Sequence, residues 1–103
     1  MKVYIRKERI GVDAVGEYNP NNGSLIVLKG SKVSNDIASS ATFRAAASIA
    51  KQRKDTVKEN KTICDVAFKS PSTAGNFVTG RSTNGYVAWC DESGQKLKAV
   101  LGR

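Results

Sequence analysis

The run NPNNGS at residues 19–24 stands between two short stretches of strand-like sequence, and that arrangement leaves the chain few ways to fold. Asparagine and glycine accept the left-handed backbone of a tight reversal, so the run reads as a turn. Before it, Val12, Ala14 and Gly16 alternate with Asp13, Val15 and Glu17 in IGVDAVGEY, the two-residue period of a strand with one buried face. After it, LIVLKG is apolar on both faces as far as Lys29, the mark of a strand central in its sheet. The two stretches form an antiparallel hairpin. Upstream, Val3 and Ile5 in VYIRKER alternate with Tyr4 and Arg6 and supply a further strand.

The remainder changes character twice. SKVSNDIASS is a connection, and ATFRAAASIAKQRKD is rich in alanine and unbranched residues, which favours a helix. Phe43, Ala46, Ala47 and Ala50 are expected on its buried face, with Ile49 at the margin. Arg44, Ser48, Lys51, Asp55 and Lys58 are expected in water, and Ser40 or Thr42 as the cap. TVKENKT reads as a polar loop, and ICDVAF as a strand with Cys64, Val66 and Phe68 on one side. Ser70-Pro71 starts a second helix, because serine caps free amides and proline suits the first turn. Ala74, Phe77 and Val78 anchor that helix and Gly80 stops it. Asn84-Gly85 then predicts a tight turn into a strand at YVAWC, with Trp89 in the core, and QKLKAV predicts a last strand. The expected fold is one α+β domain over residues 1–103, mostly antiparallel with two helices, in the order β-β-β-α-β-α-β-β.

Composition narrows the chemistry. With 40% hydrophobic and 25% charged residues the chain has enough apolar surface to fold. It has no apolar run of membrane-spanning length, and its start lacks the apolar core of a signal peptide, so a cytoplasmic protein is expected. There is no histidine, and Cys64 and Cys90 stand far apart, so no zinc site, other metal or cofactor is expected and both thiols are read as core residues. Without histidine the commonest general base is missing, and no nucleophile–base set is legible, so an enzyme is not expected. The excess of 17 Lys and Arg over 9 Asp and Glu gives a net charge of +8, which suits a polyanion partner as well as plain solubility.

The segment SPSTAGNFVTGRSTNGYVAW carries a pattern of unlike residues: Ser70-Pro71-Ser72, Ala74, Phe77-Val78, Gly80-Arg81-Ser82, Asn84-Gly85-Tyr86 and Trp89. This pattern, within residues 68–98, resembles bacterial domains of unknown function family 4357, which often follow GIY-YIG endonuclease domains. The upstream residues Asp13, Ala14, Gly16, Val27, Leu28, Lys29, Gly30 and Ser31 resemble the strand pair that precedes the motif in that family. The motif is also similar to the RAMA domains associated with restriction enzymes and adenine methylases. The resemblance implies work around DNA beside a nuclease or methylase partner. In those relatives the aromatic after Asn-Gly is more typically tryptophan, where this chain has Tyr86, and no Gly-Ile-Tyr or Tyr-Ile-Gly tripeptide is present, so nuclease activity does not carry over.

Most of the motif is architecture: proline and serine start a helix, glycine ends it, and tryptophan packs. Arg81, Ser82 and Asn84 are left over as candidates for nucleic-acid contact. Arginine there suits a bidentate pair with phosphate, or else neutralises helix-end carbonyls or bridges to a carboxylate such as Asp91. Lys29 and Lys32, flanking Gly30-Ser31, and Lys69 at the helix start complete the candidate set. The expected role is a non-catalytic DNA-associated accessory module. The alternative is a protein-interaction module that touches no nucleic acid.

Overall fold

The computed structural model describes residues 1–38 and 46–102. Strand β1 (Lys2–Lys7) pairs antiparallel with β2 (Val12–Tyr18). A 3-10 turn at Glu8–Ile10 joins them, closed by Gly11 in the left-handed region at φ 77°. β3 (Leu25–Val27) pairs with β2 as Gly16↔Val27, Glu17↔Ile26 and Tyr18↔Leu25, the hairpin expected from NPNNGS. Its reversal is closed by the Asn19 N–H on the Ser24 carbonyl at 2.9 Å and the Gly23 N–H on the Asn19 carbonyl at 2.8 Å. β6 (Val66–Phe68) completes a four-stranded sheet in the order β1-β2-β3-β6, which leaves β3 inside it as LIVLKG predicts. With the helices, the fold is α+β.

One face of the sheet is covered. Val3, Ile5, Val12, Ala14, Leu25, Val27 and Phe68 are buried there with Phe77 and Val78 of helix α2 (Pro71–Thr79). Burying each such large side chain stabilises the fold by about 1.5–3 kcal/mol. Gly16 makes room in this layer: a Cβ on it would lie 2.7 Å from Leu25 and 3.3 Å from the Trp89 ring. On the other face Lys2, Arg6, Asp13, Glu17 and Ile26 are exposed to water. Among the described residues no helix is long and apolar enough to cross a membrane.

Several elements differ from the sequence reading. TVKENKT is a second hairpin, with β4 (Val57–Lys58) and β5 (Lys61–Thr62) meeting around Glu59 and Asn60 at φ 53° and 63°. Two consecutive left-handed residues are what a two-residue hairpin demands, and the polar composition gives no hint of it. Helix α1 (Ala46–Thr56) buries Ile49, with Arg53 and Thr56 half-buried, while Ala47 and Ala50 face water. The buried stripe is therefore centred on Ile49, and Lys58 belongs to β4 rather than to the helix. Ser40, Thr42, Phe43 and Arg44 lie outside the described residues. YVAWC and QKLKAV are not strands: α3 (Gly85–Ala88) and α4 (Leu97–Val100) are single helical turns. Alternation over four residues fits one helical turn as well as a strand. Cys90 and Lys96 keep a strand-like role, Cys90 bridging Tyr4 on one side and Lys96 on the other. Both cysteines are free thiols, Cys64 exposed and Cys90 half-buried, so neither is the core thiol expected. Cys64 falls short of β6, which starts at Val66, and so escapes its buried face.

Candidate functional site

The segment from Thr79 to Trp89 is held from below by α2. Ser70 caps that helix by accepting the Thr73 N–H at 3.2 Å, with Pro71 in the first turn. Gly80 ends it in the left-handed region at φ 69°, where a Cβ would meet the Asp36 carbonyl oxygen at 2.4 Å. The chain that follows is pinned by α2 side chains. Asn76 Oδ1 accepts the Thr83 N–H at 2.8 Å, and Ser72 Oγ accepts the Gly85 N–H at 3.0 Å. Gly85 packs so closely on the start of α2 that a Cβ would lie 2.1 Å from the Pro71 carbonyl carbon. Trp89, fully buried, donates its Nε1–H to the Pro71 carbonyl at 3.0 Å. The proline, both glycines and the tryptophan of the motif thus lock one joint.

A buried-side arginine fixes the other end of the segment. Arg53 of α1 donates from Nε and Nη2 to the Phe77 carbonyl at 3.0 and 2.6 Å, and from Nη1 to the Ser34 carbonyl at 3.0 Å. Burial lowers its pKa to about 10, against the opposing pull of Asp36, so it stays cationic at neutral pH. Its guanidinium also lies over the Phe77 ring at 5.8 Å. Of the last carbonyls of α2, that of Asn76 accepts the Gly80 N–H, that of Val78 the Ser34 N–H and that of Phe77 the Arg53 guanidinium, so these three do not depend on Arg81.

The Arg81 guanidinium has one side-chain contact among the described residues, Asp36 at 3.4 Å, and it is 37% exposed. The carboxylate is Asp36 and not Asp91, whose Oδ1 is occupied by the N–H groups of Ser93 and Gln95 and the Ser93 hydroxyl. The Ser93 hydrogen bond, with the backbone ones, holds the Asp91 carboxyl below its ordinary value. Ser82 is exposed. Asn84 is committed in part to structure, because its Oδ1 caps α3 by accepting the Tyr86 N–H at 3.1 Å.

Two adjoining grooves open on this segment. The first, about 570 Å³, runs beside β1 and is lined by Tyr4, Arg6, Lys7, Ser82, Asn84 and Val87 among others. Its floor is fixed by the Tyr4–Cys90 bridge, with backbone hydrogen bonds of 2.7 and 2.9 Å. At its acidic end the Tyr4 hydroxyl donates to Glu92 at 3.2 Å, and burial followed by that bond pushes the phenol pKa up. The second groove, about 500 Å³, is formed by Lys7, Glu8, Arg9, Ile10 and Arg81. Lys7 belongs to both grooves, and their shared rim carries Arg6, Lys7, Arg9 and Arg81 together with the acidic Glu8, Asp91 and Glu92, with Ser82 and Asn84 in the first groove.

Of the sequence candidates, Arg81, Ser82 and Asn84 come together here. Lys32 lies elsewhere, in a third groove of about 260 Å³ with Asn60 and Lys61. Lys29 and Lys69 are exposed and line none of these three grooves; the Lys29 N–H is bound to Asp65 at 2.8 Å. Gly30-Ser31 is a structural joint, its buried serine hydroxyl accepting the Val15 N–H at 3.0 Å and donating to the Leu28 carbonyl at 2.8 Å. Arg6, Lys7 and Arg9 line these grooves without being among the sequence candidates. The signal was present as the run RKER at the end of a strand, where it reads only as strand sequence.

Comparison with curated proteins and with solved structures finds no match. The model of the domain of unknown function DUF4357 matches residues 3–101, nearly the whole chain, and the protein therefore belongs to that family.

Proposed function

We propose that this protein is a cytoplasmic, non-catalytic module that binds nucleic acid, DNA before RNA, as an accessory to a nuclease or methylase. The observation that carries this reading is the set of four cations, Arg6, Lys7, Arg9 and Arg81, that line the two adjoining grooves beside the exposed Ser82 and Asn84. Arginine and lysine side chains so placed neutralise phosphates, and the neighbouring hydroxyl and amide add hydrogen bonds to sugar–phosphate or to a base edge. Arg53 and backbone N–H groups already serve the carbonyls of Asn76, Phe77 and Val78, so the fold makes little demand on Arg81. The net charge of +8 attracts polyanions at longer range. The likeness to domains found beside nucleases and methylases fits the same role.

The test is equilibrium binding of short labelled duplexes, single strands and RNA over a range of salt. Direct phosphate contact predicts log affinity falling linearly with log salt, by about 0.9 per phosphate neutralised on duplex DNA. Arg81→Ala should weaken binding and reduce that slope by about 0.9, while its exposed pair with Asp36 costs the fold only about 0–1 kcal/mol. Absence of binding to all three ligands at low salt sinks the proposal and leaves the protein-interaction reading. A large loss of stability in Arg81→Ala would return that residue to a structural role.

A further inference from the structure

Cross-strand pairing sets a row of charged side chains on the exposed face of the sheet. Arg6 pairs with Asp13 across β1 and β2, Asp13 bridges Lys32, and Lys32 bridges Lys61 at the start of β5. Residues paired directly across antiparallel strands point to the same face, so these four side chains stand in one row perpendicular to the strands. All four are exposed. Three cross-strand steps of about 4.8 Å make the row about 14 Å long. It runs from the groove of Arg6 and Lys7 to the third groove, where Asn35 and Asn60 flank Lys32 and Lys61.

The charges in this row are not balanced within the protein. Asp13 pairs with Arg6 at 3.7 Å, whereas neither Lys32 nor Lys61 has an ion pair among the described residues. The two lysines are directly opposite one another, an arrangement unfavourable to the sheet on its own. Beside them Asn60 Nδ2 is held by Asn35 Oδ1 at 3.1 Å, which fixes the amides at the groove rim. Glu59 is the acidic residue of this groove, and it too is without an ion pair among the described residues. An external anion held between them would relieve the lysine–lysine repulsion.

We propose that the backbone of a DNA duplex crosses the sheet along this row, from the groove of Arg6 and Lys7, past Asp13 in its pair with Arg6, to a second phosphate-holding groove at Lys32 and Lys61. This extends the nucleic-acid reading above and rests on it. A duplex fits better than a single strand because the cations are spaced by sheet register, which suits a stiff line of phosphates. The row also offers no aromatic face for unpaired bases beyond Tyr4, which lies under the Arg6 guanidinium at 4.9 Å.

The test is the salt dependence of duplex binding for Lys32→Ala, Lys61→Ala and the double variant, followed by fluorescence anisotropy. Each single change should reduce the slope by about 0.9 and the double change by about 1.8. Lys54→Ala and Lys98→Ala, which remove the same charge from α1 and α4, should leave the slope unchanged. Melting temperatures of the Lys32 and Lys61 variants should not fall, since the fold gains nothing from a like-charged pair. If Arg81→Ala weakens binding but the Lys32 and Lys61 variants keep the full slope, the track is wrong and the rim alone stands. Losses equal to those of the Lys54 and Lys98 controls, or seen only with single strands, also overturn it. Failure of the unaltered protein to bind any nucleic acid removes the underlying reading instead.

Discussion

Arg53 gives the sharpest test of how the segment that carries the motif is held. Arg53→Met keeps an apolar stem and deletes four hydrogen bonds of 3.0 Å or shorter, to the Phe77 and Ser34 carbonyls and the Ser34 hydroxyl. The hydroxyl keeps its own bond to the Asp36 carbonyl at 2.6 Å, so the change orphans two carbonyls, those of Phe77 and Ser34. An unsatisfied buried acceptor costs about 1–3 kcal/mol, so two cost at least about 2 kcal/mol in the least favourable case. The guanidinium is only half-buried, so water reaches part of the site and relief of its desolvation offsets some of the loss. The expected destabilisation is about 2 kcal/mol, a large share of the ~5–15 kcal/mol that holds a domain together. In a chain of 103 residues that lowers Tm by about 8–16 °C. Urea unfolding followed by circular dichroism measures it. Arg53→Lys keeps the charge but not the planar fork, and should recover less than half of the loss. A loss below about 0.5 kcal/mol for Arg53→Met, or full rescue by lysine, would refute the carbonyl-capping argument.

Two other outcomes follow from the same geometry. Gly85→Ala places a Cβ 2.1–2.3 Å from the backbone of Pro71 and Ser72, and neither neighbour is the end of a flexible side chain. It should destabilise by about 1–3 kcal/mol or more and loosen the Trp89 environment, visible as a red shift and loss of near-ultraviolet dichroism. The Asp91 carboxyl is held below its ordinary value of 3.8, chiefly by the Ser93 hydroxyl and the Gln95 N–H. Its folded pKa is depressed, so its stabilisation is present above the unfolded value and is lost as pH falls through the lowered one. Melting curves over acid pH should therefore fall less steeply for Asp91→Asn than for the unaltered chain.

Much of the frame was legible in the chain itself. The Asn-Gly reversal between VDAVGEY and LIVLKG, the Ser70-Pro71 start and the Gly80 stop of α2 all depend on contacts within a few residues, so local chemistry suffices to place them. The two short C-terminal elements were misread because four residues do not separate a strand from a single helical turn. The buried stripe of α1 was misplaced because it is chosen by what lies opposite, the end of α2, and not by the run of alanines. Tertiary contacts alone divide the motif between structure and surface. Gly85 is required by its approach to Pro71, which is 14 positions earlier in the sequence but adjacent in space. Asn84 is taken up as a cap, while Arg81 keeps an exposed pair with Asp36 and leaves the Phe77 carbonyl to an arginine on another helix. The row Arg6–Asp13–Lys32–Lys61 is the extreme case, since its members come from four segments and meet only through strand register. Charge and turn chemistry are properties of the chain, whereas the line along which charges converge is a property of the sheet.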